Sequence, residues 1–166
     1  FLKQNRREFR ADTAWICDTG MWGEQTPAIT TRLRGCLGEE VVVTGPAVDL
    51  HSGYYGGAVV NPLHVLSRIM AALHDRRGRV QIPHFYDGVK PLPAAVKKQW
   101  AGLKFNARKF LADAGVGVAA GEQGYSVLEQ IWSRPTAECN GLLGGYSGGG
   151  SETVLPAKAM AKFSFR

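Results

Sequence analysis

Asp49-Leu50-His51-Ser52-Gly53-Tyr54-Tyr55-Gly56-Gly57-Ala58-Val59-Val60-Asn61-Pro62 is the stretch on which the reading of this chain turns. It sets a histidine in a glycine-dense turn just ahead of an Asn-Pro pair that suits a helix start, with Asn61 as cap and Pro62 at the first position. Behind it Val65, Leu66, Ile69, Met70 and Leu73 recur at helical spacing, make one apolar face, and are followed by Gly78 past the stop. An imidazole on irregular backbone beside a rigid helix is how a fold presents a working side chain.

Outward from that helix the chain alternates between strand and helix patterns. Upstream, Ala14 to Cys17 reads as a short buried strand ending at Asp18, the Gly-rich stretch to Pro27 as a loop, and Ile29 to Leu33 and Glu40 to Thr44 as β-branched strands with Gly35 and Gly38 marking the turn between them. Downstream, Arg79 to Ile82 is a short strand candidate. Ala94 to Gly102, Asn106 to Ala114 and Ser126 to Trp132 read as helices, with Trp100, Phe110 and Leu111 expected inside. Thr136 to Leu143 and Ala159 to Phe165 read as strands on either side of a glycine loop, the second alternating apolar and polar side chains. Helices segregated onto an antiparallel sheet predict an α+β layer.

Composition narrows the function classes. With 45% apolar and 20% charged residues in 166, the chain has the make-up of a globular domain with a real core. No run approaches the roughly 18 uncharged apolar residues of a membrane helix, so no membrane role is expected. The start, Phe1 to Glu8, lacks the apolar stretch of a signal peptide and is expected to be the tail of a helix from a longer chain. The net charge of +6 invites a nucleic-acid reading, but Lys and Arg are scattered and form no long block, so no nucleic acid is expected. Cys17, Cys36 and Cys139 form no Cys-x-x-Cys pair and are expected to be buried free thiols in a reducing cytoplasm.

The string from Asp49 to Pro62, together with Ile16-Cys17-Asp18-Thr19-Gly20-Met21-Trp22, Thr30 to Gly35, and Gly144 to Arg166, resembles the zinc metallopeptidase and aminoacylase family, in its dipeptidase branch. That family includes carnosinase, cytosolic nonspecific dipeptidase, acetylornithine deacetylase and succinyl-diaminopimelate desuccinylase. Four ordered blocks carry the resemblance across nearly the whole chain, where one alone would be weak. It implies a ferredoxin-like lid, or dimerisation, domain with its helices on one face of an antiparallel sheet. The chain would divide into residues 1–40, a remnant of the catalytic domain, and 41–166, the lid. A homodimer through the lid helix and an edge strand is implied, acting on a small peptide or an N-acyl amino acid.

The resemblance also assigns roles. Asp18, ending an apolar strand, resembles a ligand of a two-zinc site in which the metals activate water for amide hydrolysis. The other ligands of that pattern do not occur, and Glu39-Glu40 is not placed as its Glu-Glu pair would be, so the metal centre is expected to be absent from this fragment. His51, thirty-three positions after Asp18, resembles the lid histidine that reaches into the partner subunit's active site and stabilises the oxyanion or the substrate carbonyl. Thr153 and Arg166 match substrate-binding residues, the arginine fork taking the C-terminal carboxylate of the peptide. His64, His74 and His84 share no metal-like pattern, and Arg134 reads as a scaffold for the following strand.

Two other classes compete. One is a noncatalytic dimerisation module. The other is a basic RNA-binding ferredoxin-like domain, which needs sheet aromatics in an RNP-like pattern that the sequence does not carry. A phosphate loop at Gly144 to Ser151 fails as well, since no Gly-Lys-Ser/Thr opens a helix there.

Overall fold

The computed structural model describes all residues from 1 to 166, which form two compact units, Phe1–Leu33 and Arg34–Arg166. The first unit contains turns and a single bridge between Gly23 and Thr26, and no helix or strand. The strands expected at Ala14 to Cys17 and Ile29 to Leu33 are therefore absent, and Trp15, Ile16 and Ile29 are exposed. β-branched composition supplies a preference only; a strand exists through its ladder, and no ladder forms in this unit.

The second unit is built on β1 (Leu37–Thr44), β2 (Leu50–His51), the one-turn α1 (Ser52–Tyr55), α2 (Pro62–Ala72), α3 (Ala94–Gly102), α4 (Ala107–Asp113), α5 (Val127–Trp132), β3 (Ala137–Gly144), β4 (Val154–Leu155) and β5 (Lys158–Phe165). The boundary between units precedes β1, and β1 runs through position 40. Gly38 lies inside β1 and is not a turn residue. The main sheet is antiparallel in the order β1-β5-β3, and a second ladder pairs β2 with β4. This is the expected α+β class, and the strand order is consistent with the split β-α-β layout of ferredoxin-like sheets.

β5 is central because it alternates. Ala159, Ala161 and Phe163 are buried on one face, where Leu66 of α2 packs with the half-buried Val41, Val43 and Leu63. The intervening Lys158 and Lys162 point to the opposite face. Small alanines at the crossing point let the helix sit close, and Leu66, 1% exposed, fills the space. Pro62 sits against Gly45, where a Cβ would stand 2.7 Å from the proline ring. Asn61 caps α2 by accepting from the Leu63 N–H at 2.9 Å.

The long connection between α2 and β3 has a polar centre of its own. Glu122 and Arg134 are both buried and paired, at 2.7 Å to Nε and 3.1 Å to Nη2, while the Arg134 guanidinium lies over the rings of Tyr125 and Tyr86. Burial acts to lower the Arg134 pKa, but the hydrogen bonds and charge of Glu122 outweigh it and the net direction is upward. Arg134 is thus the strand scaffold the sequence suggests. Arg79 to Ile82, expected as a strand, is reduced to a bridge between His74 and Val80.

Two burial expectations fail. Phe110 is exposed on the seven-residue α4, against Phe105, while Trp100 and Leu111 are half-buried. All three cysteines are exposed: Cys17 and Cys36 lie where no element covers them, and Cys139 sits beside the bulge of an edge strand. Helical periodicity reports which residues share a face, not how much of that face a neighbour covers.

α5 opens with a full capping box. The Ser126 hydroxyl accepts from the Glu129 N–H at 3.3 Å, and the Glu129 carboxylate accepts from the Ser126 N–H at 2.9 Å. Ser126→Ala is expected to cost about 1 kcal/mol in urea denaturation. The Ser126 backbone N–H is the largest cause holding the Glu129 pKa below its ordinary value, opposed by burial and helped by the Ser126 hydroxyl and Lys97. A depressed folded pKa gives stability that is complete above the unfolded glutamate value of about 4.3 and is lost as pH falls through the folded value. Glu129→Gln should therefore flatten the acid limb of the stability–pH curve; an unchanged limb would refute that linkage.

Candidate functional site

The small β2–β4 ladder holds the histidine. Leu50 pairs with Leu155 and His51 with Val154, and the Ser52 N–H donates to the Thr153 carbonyl at 2.8 Å. Asp49 anchors the same corner by accepting from the Ala157 N–H at 2.7 Å, and the Gly45 N–H donates to the Ala157 carbonyl at 2.8 Å. Thr153, the residue just before β4, thereby lies beside the His51–Ser52 segment.

His51 is also the N-cap of α1, and its Nδ1 accepts from the Gly53 N–H at 3.0 Å. An Nδ1 that accepts leaves the ring proton on Nε2, so the exposed side of the neutral imidazole is a hydrogen-bond donor. The contact needs glycine: a Cβ at position 53 would lie 2.7 Å from His51 Cε1 and 2.9 Å from Nδ1. Tyr54 stands 5.1 Å from the imidazole, ring centre to ring centre. The locking of the tautomer was missed by the sequence reading, although a glycine two residues after the histidine is its visible signal.

Arg166 lies elsewhere. It follows β5, and its backbone exchanges two hydrogen bonds with Thr136, at 2.9 and 3.0 Å. Thr153 and His51 belong to the end of the sheet where Lys158 pairs with Thr44, and Arg166 to the end where Phe165 pairs with Leu37 and Ala137. Eight strand residues separate the two ends, about 25 Å at the usual rise.

Asp18 stands in the first unit as an exposed carboxylate on irregular backbone. No group of three or more His, Cys, Asp or Glu side chains comes together anywhere in the chain. The donors present do not fit a metal centre. His84 Nδ1 contacts Asp87 at 2.9 Å on the surface, and the His74 backbone bridges Val80.

The fold thus carries His51 on the small β2–β4 ladder and Arg166 at the far end of β5 in the main sheet. Residues 31–166 match the family model of the peptidase dimerisation domain, and the chain belongs to that M20 metallopeptidase family. Its relatives put it on the dipeptidase branch. The chain is 33% identical over 157 residues to the Cys-Gly metallodipeptidase DUG1 of Candida albicans, covering 95% of this chain and 32% of that protein. It is 26% identical to the human beta-Ala-His dipeptidase, over 99% of this chain and 32% of the relative. Among solved structures, an M20 family metallo-carboxypeptidase from Sulfolobus solfataricus matches with a TM-score of 0.83 at 28% identity, over 99% of this chain and 38% of that one. The chain thus spans about a third of the length of the curated relatives it matches. No helix is long and apolar enough to cross a membrane.

Proposed function

We propose that this is the lid and dimerisation domain of a metal-dependent dipeptidase, that the division expected at 40/41 moves ahead of β1 so that Phe1–Leu33 belongs to the catalytic domain and Arg34–Arg166 to the lid, and that His51 acts in the active site of the partner subunit. The observation that carries this reading is the His51 geometry, a locked neutral imidazole whose Nε2–H is presented on an exposed turn beside Thr153. A donor that needs no reorganisation is what stabilises an oxyanion as water adds to a peptide carbonyl. Arg166 supplies the planar fork for the C-terminal carboxylate of a dipeptide or N-acyl amino acid. The relatives' names imply a metal, which the resemblance specifies as two zinc ions per active site with Asp18 as one ligand. The exposed free thiols suit a cytoplasmic setting.

Distance favours action across a dimer. A dipeptide extends about 7 Å at most, so it does not bridge the His51 and Arg166 ends of one β5, which are about 25 Å apart. One active site would then take His51 and Thr153 from one subunit and Arg166 from the other. For the contact we assign α2 and the β3 edge. β1 exposes Leu37 and Val42 but carries the adjacent charges Glu39 and Glu40, which protect an edge, whereas β3 carries the single Glu138 and exposes the adjacent Leu142 and Leu143, and α2 exposes Ile69.

The test mixes subunits of the full-length enzyme. His51→Ala and Arg166→Ala homodimers should both be impaired, and their heterodimer should recover about half of the wild-type rate, because one of its two sites is then intact. No recovery would overturn action in trans. Sedimentation of the enzyme with Leu142→Lys and Leu143→Lys should show dissociation, and an undisturbed dimer would overturn the β3 assignment.

A further inference from the structure

We propose that Arg34 is a second guanidinium of the carboxylate-binding site, standing beside Arg166 at the end of β5, and that it helps select substrates with a free C-terminal carboxylate. The inference rests on the reading of Arg166 given above and adds a residue to which neither the family resemblance nor any motif gives a role.

Arg34 enters three positions before β1, whose first residue, Leu37, pairs with Phe165, so the chain approaches the sheet at the corner where β5 ends. Its Nη1 donates to the Arg134 carbonyl at 3.3 Å and, at a longer 3.5 Å, to the Gln130 carbonyl. Arg134 lies two residues before Thr136, the backbone partner of Arg166. Two carbonyls at the end of α5 therefore hold the half-buried Arg34 head at the Arg166 corner.

No carboxylate of the chain answers either cation. Glu122 is taken by Arg134 and Arg79, Glu129 by Lys97, and Asp113 by Lys109. Both Arg34 contacts use Nη1, which leaves Nη2 and Nε of its fork for a ligand. Burial, and after it the charge of Arg166, lower the Arg34 pKa from its ordinary value, although an arginine keeps its proton in proteins. Neighbouring like charges without a counter-ion repel, and an incoming carboxylate relieves that repulsion while accepting hydrogen bonds from both forks. The alternative is a purely structural clamp that ties the entry of β1 to the end of α5.

The deciding measurement is kcat/KM of the full-length enzyme for a dipeptide relative to the same dipeptide with its C-terminus amidated. Arg34→Ala should lower that ratio by about tenfold or more, the scale of a hydrogen bond to a charged group, mainly through KM. Arg34→Lys, which keeps the charge without the planar fork and guards against misfolding, should give an intermediate ratio. Equal losses on the two substrates in both variants would mean a clamp only and would overturn the proposal. Arg166→Ala is the control for the parent reading. If it leaves the ratio intact, the assignment of Arg166 is wrong; if it collapses the ratio while both Arg34 variants keep it, only the Arg34 proposal fails.

Discussion

Replacing His51 by alanine in the full-length enzyme is expected to lower kcat by about 10²- to 10³-fold, the effect of removing one oxyanion donor. The expectation follows from the state of the ring. Gly53 engages Nδ1, so Nε2 carries the proton and is presented as a donor. Losing a group that strengthens its bond only as charge develops on the carbonyl oxygen should lower kcat and kcat/KM together and leave KM nearly constant. Gly53→Ala probes the same device from the backbone, because a Cβ there meets the imidazole and must displace it. Steady-state kinetics on a saturating dipeptide provide the check. Full turnover by the His51→Ala enzyme would remove the role assigned to this residue.

The largest loss of stability is expected at the buried pair in the α2–β3 connection. Glu122→Ala should destabilise the fold by about 3–5 kcal/mol, because it leaves the Arg134 guanidinium buried without its counter-charge. Arg134→Ala should act similarly from the other side and also removes the contacts with the Tyr86 and Tyr125 rings. Exchanging both partners for apolar residues of similar size, Glu122→Leu with Arg134→Met, is expected to be far milder, since no uncompensated charge remains. Urea denaturation of the three variants separates the outcomes. A loss below about 1 kcal/mol for Glu122→Ala would mean that water reaches the pair and screens it.

The family and most of the regular elements were legible in the sequence because their signals are local. Asn61 and Pro62 mark the start of α2, Ser126 and Glu129 that of α5, and the alternation through Ala159, Ala161 and Phe163 marks β5. Each device is completed within a few residues, so the order of residues states it. The blocks around Asp18, His51 and Arg166 likewise name their family without knowledge of where they lie in space.

What the sequence could not reveal depends on contacts between distant segments. β2 and β4 are two residues each, too short to show a period, and exist because positions 50–51 meet 154–155. The strand pattern at 14–17 finds no partner, and Cys17, Cys36 and Cys139, apolar enough to suggest burial, are uncovered. Tertiary structure alone separated Arg166 from Thr153 along β5, brought Arg34 to the Arg166 corner and joined Glu122 to Arg134. Caps and periods are set by bonds between near neighbours, whereas strand pairing, burial and the pairing of charges are decided by which remote surfaces the chain brings together on folding.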